Sequence, residues 1–345
     1  MIKKRNYYIS YLKWIAMVFI VLTHLINRSN IKIISGSFFS YFNDLIKIWP
    51  LFFLVLSGSL IIIVYSKYDL KISSLRLYKR SLLLLLVYYF FNILKFYTFD
   101  FAKEPYYWQF IERNTFNLTW ILTFQSYAVP IPILILFSIF LAITPLFLYI
   151  VKNFKYNKTI ILGIIWFFLI LNYGVNLPQN NFTNLLYWID TKLFSFNLWI
   201  VPYLIWIFLW TLGFEKRKKE VLLFFLILSI FFWILHFLSG KTLLLEPNMY
   251  PLTLYYTSAS FFIMFAFIYI FSFLEKIKSK LLASLLSFLR YIWDNSLWIY
   301  IVHWIIIDST IWIFFPQVKF IWRTVGISTF TYFLYFMKYR FDKHW

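Results

Sequence analysis

Lys13 and His24 lie eleven residues apart in the apolar stretch YLKWIAMVFIVLTHLIN, residues 11–27. An α-helix has 3.6 residues per turn and rises about 1.5 Å per residue, so this spacing puts both on one face, about 16 Å apart. Ionisable groups inside a bilayer are costly; they normally face the bundle or a water-filled cavity and mark functional positions. Imidazole titrates near neutral pH, which suits it to take a proton from a hydroxyl. Two bland roles compete with this one. Lys13 could snorkel its ammonium to the interface, and His24 could make a helix–helix hydrogen bond. The two residues alone leave both alternatives open.

Few other groups can join the pair. Asp308, in HWIIIDS, is the carboxylate that falls inside an apolar run, and Asp44 stands just before another; either is a candidate to orient His24. Tyr300 and His303 are three residues apart and share a helix face. His236 sits at the end of an apolar run and reads as interfacial, and His344 belongs to the tail. Ser57 and Gly58, in LSGS, suit a close helix approach better than a nucleophile. Zero cysteines exclude disulfides, thiol nucleophiles and Cys-ligated metal. The four scattered histidines offer no metal-ligand spacing, so no metal is expected. No phosphate-cradling loop or dinucleotide fingerprint is present.

The elements that must position these groups follow from composition. The chain has 345 residues, of which 62% are hydrophobic and 13% charged, and its mean hydropathy is +0.75. A soluble domain carries about 25% charged residues, so this chain cannot cover a water-facing globule. Apolar runs fall at about 7–27, 46–65, 81–99, 130–151, 158–174, 194–214, 220–239, 253–274, 296–315 and 320–337, near the length of about 20 residues that crosses a bilayer. The expectation is an all-α, polytopic bundle of about ten transmembrane helices, forming one integral membrane domain over 1–345. MIKKR before the first run resembles a signal peptide, but the run is too long and lacks a small-residue cleavage site.

The net charge of +20 does not point to nucleic acid, because the basic residues sit in short clusters between apolar runs. Most of them fall in the N-terminus, 66–80, 152–158, 215–219, 275–295 and the tail. By the positive-inside rule both termini are cytoplasmic, in keeping with an even number of spans. On the outer side the longest connection, 100–129, is aromatic and suits an interfacial lid; on the inner side 279–296 reads as an amphipathic surface helix.

The stretch from Arg5 to His24 resembles the first span of the acyltransferase-3 family of membrane acyltransferases, which shows a basic residue, ten intervening residues and a histidine. PLFFLVLSGSLI, RLYKRSLLLLLVYYF and SLWIYIVHWII are similar to that family's Phe-rich Leu-Ser-Gly span, its arginine-containing entry to the third span and its late Ser-x-x-Ile-Tyr-x-x-His span, in the same order. Lys13 stands where the family usually has arginine; lysine keeps the charge and loses the planar fork.

The resemblance implies transfer of an acyl group, commonly acetyl from acetyl-CoA, to a hydroxyl of an envelope polysaccharide or lipid-linked sugar, in the cytoplasmic membrane. His24 would then be general base or acyl carrier, with Lys13 and Asp308 supporting it. Arg76, Arg80 and Lys79 would hold the phosphates of CoA, and Tyr300, His303 and Asp44 would support the site. The partners are the bilayer and the glycan acceptor, with no nucleic acid. A glycan or solute transporter and a catalytically inactive relative are the alternatives; a transporter would more often show inverted repeats, and none is visible.

Overall fold

In lipid every backbone N–H and C=O must be satisfied within the protein, which leaves a mostly apolar chain the helix as its spanning structure. The computed structural model describes residues 7–28, 37–60, 65–98, 132–174, 196–245, 247–248 and 252–274, and among them there are helices and no strands. The elements are α1 (Tyr7–Arg28), α2 (Phe38–Ile46), α3 (Trp49–Leu60), α4 (Leu70–Thr98), α5 (Pro132–Asn153), α6 (Asn157–Leu169) continued by a π-turn (Ile170–Gly174), α7 (Phe196–Thr211), α8 (Lys218–Leu238) and α9 (Leu254–Leu274). Among the described residues, four stretches are long and apolar enough to cross a membrane: Phe38–Leu56, Ile133–Asn153, Lys218–Leu238 and Leu254–Leu274. The runs at 296–315 and 320–337, the connection 100–129 and the segment 279–296 lie outside the described residues.

Two boundaries differ from the sequence expectation for local reasons. The second apolar run is preceded by a separate helix, α2, whose Ser, Asn and Asp interrupt hydropathy; the Ser37 hydroxyl caps it by accepting from Ser40 N at 3.2 Å. α4 begins at Leu70 rather than near residue 81. Asp69 starts it, its carboxylate accepting from Lys71 N at 2.8 Å, and KISSLRLYKR then continues as helix although it is polar. At 29 residues, α4 is about 43 Å long. It exceeds a hydrocarbon core of about 30 Å, so its basic first turns have length to spare.

The helices fall into two compact units. In the first, α8 and α9 form an antiparallel hairpin. Lys218 Nζ donates to Ser272 Oγ at 2.9 Å at one end, Phe225 stacks on Phe261 and Phe265 with centroids at 4.8 and 5.5 Å, and His236 meets Tyr255 at 5.0 Å at the other end. α1 packs on α9 and α2, with Tyr11 against Phe271 at 5.2 Å. Tyr256 OH donates to the Lys47 carbonyl at 2.8 Å, which ties the α2–α3 junction to the start of α9.

In the second unit α4 and α5 are antiparallel. Ser81 and Ser138 clasp reciprocally, each hydroxyl within 2.9 Å of the other residue's carbonyl oxygen. Tyr65, Leu77 and Leu148 pack together near the basic end. Small hydroxyl residues let helices approach closely in lipid, where apolar contact alone gives no preference for protein over lipid. Alanine at both serines is expected to show a coupling of about 0.6 kcal/mol, and not above about 1.7, in a double-mutant cycle read by thermal unfolding in detergent. Additive single effects would mean that the clasp contributes nothing beyond its shape.

Polarity is distributed inside-out relative to a soluble protein. Ser81, Asn92, Ser138, Thr144, Asn197, Ser258 and Ser260 are buried, whereas Leu223, Ile227, Ile230, Phe231, Ile234 and Leu238 of α8 are exposed. Such an apolar face would drive association in water; in a bilayer it is the solvent-facing surface. The class of the molecule is therefore a helical membrane protein.

Candidate functional site

α1 is uninterrupted from Tyr7 to Arg28, so positions 13 and 24 share a face by helical register. The helix buries Leu12, Lys13, Ala16, Met17, Ile20 and Thr23. Lys13 is 0% exposed, which rules out snorkelling to solvent. A buried charge of this kind costs several kcal/mol in lost hydration before its interactions offset it. His24 belongs to α1 by its backbone, and its side chain lies outside the described residues, as do Asp308, Tyr300 and His303.

The basic group on α4 has a definite geometry. Arg76 and Arg80 are one turn apart and exposed, and each guanidinium lies over an aromatic ring. Arg76 is 4.7 Å from the Tyr68 centroid and Arg80 is 5.7 Å from that of Tyr65. The backbone that carries these rings is tied down. Tyr65 is buried, and its carbonyl accepts from Ser73 Oγ at 2.9 Å. The Tyr68 carbonyl accepts from Lys152 Nζ of α5. A guanidinium resting on a ring keeps its N–H edges free to fork onto a phosphate or carboxylate. Lys79 is exposed beside them; as a flexible point charge it adds attraction without that planar geometry.

The α4–α5 hairpin thus joins, at one end, two loops that the charge pattern assigns to a single side, 66–80 and 152–158. The α8–α9 hairpin likewise brings Lys218 to Ser272, next to the basic 275–295.

At the opposite end of α8–α9 lies a polar network that the sequence does not announce. Asp44 Oδ2 accepts from Leu245 N at 2.9 Å, so this candidate partner of His24 also fastens the α8–α9 loop. His236 Nε2 and Asn248 Oδ1 are 2.9 Å apart. Asn248 Nδ2 donates to the carbonyls of Thr242 at 2.9 Å and Leu244 at 2.7 Å. Tyr255 OH donates to Leu243 O at 2.8 Å. Lys47, next to Asp44, is only 2% exposed although it reads as a loop cation. The signal for His236 was its place at a helix end; Asn248 and Lys47 carried none, because tertiary packing sets their partners and burial.

Among the described residues no group of three His, Asp or Glu could hold a metal ion. No protein-family model, curated protein or solved structure matches this chain. Fold and site define a helical membrane protein with a lysine buried in its first described helix and an aromatic-backed arginine pair in the N-terminal turns of α4, the longest of the described helices.

Proposed function

We propose that this chain is a membrane O-acyltransferase of the cytoplasmic membrane, with about ten spans and both termini cytoplasmic, that moves an acyl group, commonly acetyl, from acyl-CoA to a hydroxyl of an envelope polysaccharide or lipid-linked sugar. The observation that carries the reading is the wholly buried Lys13 on the same continuous helix and face as position 24. The order of the four motif-like stretches supports it. So does the Tyr-backed Arg76–Arg80 pair at the end assigned to the cytoplasm, where the phosphates of CoA arrive.

In the direct mechanism His24 takes the proton of the acceptor hydroxyl as its oxygen attacks the thioester carbonyl. The carbon–sulfur bond then breaks, and CoA leaves as the thiol, which ends with the proton. If His24 instead carries the acyl group, CoA leaves before the sugar reacts and the kinetics become ping-pong. Arg76 and Arg80, helped by Lys79, hold the donor phosphates. Lys13 supplies buried positive charge on the face of α1 that carries position 24, while Asp308 or Asp44 orients His24 and Tyr300 and His303 support the acceptor.

The test is label transfer from acetyl-CoA into envelope glycans by membranes carrying the chain. Incorporation that depends on the chain supports the reading. Chain-dependent solute flux into proteoliposomes without an acyl donor, and no transfer across a wide acceptor panel, replaces it by transport. Lys13→Met keeps length and removes the buried charge. Removing one member of a buried polar interaction costs stability, so the variant is expected to melt lower, while transfer measured per folded protein falls about a hundredfold, the scale of losing one preorganised charge contact. Lys13→Arg should keep most of the activity. Full transfer by Lys13→Met would remove the residue from the mechanism.

A further inference from the structure

The His236–Asn248 pair fixes a proton position. The Asn248 amide nitrogen faces two backbone carbonyls, Thr242 O at 2.9 Å and Leu244 O at 2.7 Å, which only the NH2 group can satisfy. Its Oδ1 is therefore the acceptor towards His236, and His236 Nε2, 2.9 Å away, must carry the hydrogen. In the neutral ring, which has one N–H, this geometry leaves Nδ1 with the bare lone pair. Among the described residues nothing hydrogen-bonds to that nitrogen, and it is not among the sealed, unpaired polar atoms; it is open to a partner from outside.

The surroundings are built to hold the ring still. Tyr255 lies against it at 5.0 Å and is itself anchored by its hydroxyl to Leu243 O at 2.8 Å. The same loop is fastened by Asp44 at Leu245 N, and Asn248 is only 5% exposed. Beside His236 on α8, Trp233 and Phe237, one turn apart, stack at 5.9 Å and 11° and are both exposed. Aromatics of this kind sit at the headgroup level of a bilayer, with the loop on the water side.

We propose that His236 Nδ1 is a hydroxyl-accepting subsite at the α8–α9 loop for the sugar headgroup of a membrane-anchored glycolipid. A bare, oriented imidazole nitrogen accepts from a hydroxyl, the loop side is aqueous, and the exposed aromatic pair places the site where lipid-anchored sugars present their hydroxyls. The subsite rests on the acyltransferase reading only for its role, which would be to hold the acceptor on the outer side. The binding itself stands on the geometry.

The experiment is nitrogen NMR of the full chain with isotope-labelled histidine, in phosphatidylcholine nanodiscs with increasing monoglucosyldiacylglycerol. With four histidines the spectrum is assignable: His236→Gln removes one set of signals and keeps an amide donor for Asn248. If that variant fails to fold, His24→Gln, His303→Gln and His344→Gln assign His236 by elimination. The expected result is a His236 ring protonated at Nε2 and bare at Nδ1, whose Nδ1 signal moves saturably with the glucolipid while Nε2 stays put. Asn248→Ala should turn the single tautomer into a mixture. A protonated Nδ1, a tautomer mixture in the wild type, or an Nδ1 signal indifferent to the glucolipid would overturn the proposal. Saturable shifts in a chain that transfers no acyl group keep the subsite and remove the transferase; transfer without shifts does the reverse.

Discussion

Replacing His24 by alanine is expected to lower acetyl transfer into envelope glycans by a factor of about 10²–10⁴, the usual contribution of a positioned general base, while the protein still accumulates in the membrane. The loss should reach background if the histidine carries the acyl group, since no alternative nucleophile stands in its place. The expectation follows from α1. Its face is committed to the interior over Lys13, Met17 and Ile20, and position 24 continues it. A histidine there for helix contact alone would be replaceable by glutamine or asparagine, both of which retain a hydrogen-bonding side chain. Measuring His24→Gln beside His24→Ala therefore separates the two roles. Equal loss in both, with unchanged thermal unfolding, assigns the proton or acyl transfer to the imidazole; activity retained by His24→Gln assigns a structural hydrogen bond. Initial-rate patterns in the wild type then decide between direct transfer, with both substrates bound together, and the ping-pong route.

How much of this was legible in the sequence depended on whether a residue's role was set nearby or far away. The helical runs were legible because apolar length alone decides them, and α1, α8 and α9 fall almost where hydropathy put them. α2 was not, because FFSYFNDLI is too short and too polar for a span window, and its cap at Ser37 is a local signal outweighed by the run behind it. The start of α4 was missed because a basic helix emerging from a bilayer has no apolar signature. In the candidate site, Lys13 stood out as a charge among apolar neighbours, but its burial came from packing. Arg76 and Arg80 were legible as charges; the rings of Tyr68 and Tyr65 beneath them were not, since chain reversal before α4 creates that stacking. The bond between His236 and Asn248 spans a loop whose carbonyls fix the amide, and no spacing rule announces it.

Gly58→Ala is expected to destabilise the protein by about 1–3 kcal/mol, the cost of forcing an extra methyl into a packed interior, and Gly58→Val by more. A Cβ at this position would stand 2.6 Å from Cε2 and 3.0 Å from Cδ2 of the Tyr203 ring, closer than unbonded carbons tolerate. The tyrosine has no easy retreat. It is fully buried in α7, stacked on Phe140 with centroids 4.8 Å apart and planes 4° from parallel, and its hydroxyl is 2.5 Å from Thr144 Oγ1. Thr144 is also bonded to the Phe140 carbonyl of its own helix, so moving the ring disturbs α5 as well as α7. The Leu-Ser-Gly stretch is thus a place where one helix needs a missing side chain for another to lie close. The check is thermal unfolding of the purified chain in detergent, with a second substitution to locate the clash. Tyr203→Phe removes only the hydroxyl and should not rescue Gly58→Ala. Tyr203→Leu removes the ring edge and should bring the double variant close to Tyr203→Leu alone, a non-additivity expected of residues in contact. If Gly58→Ala unfolds at the wild-type temperature, α3 and α7 are not in close contact at this point.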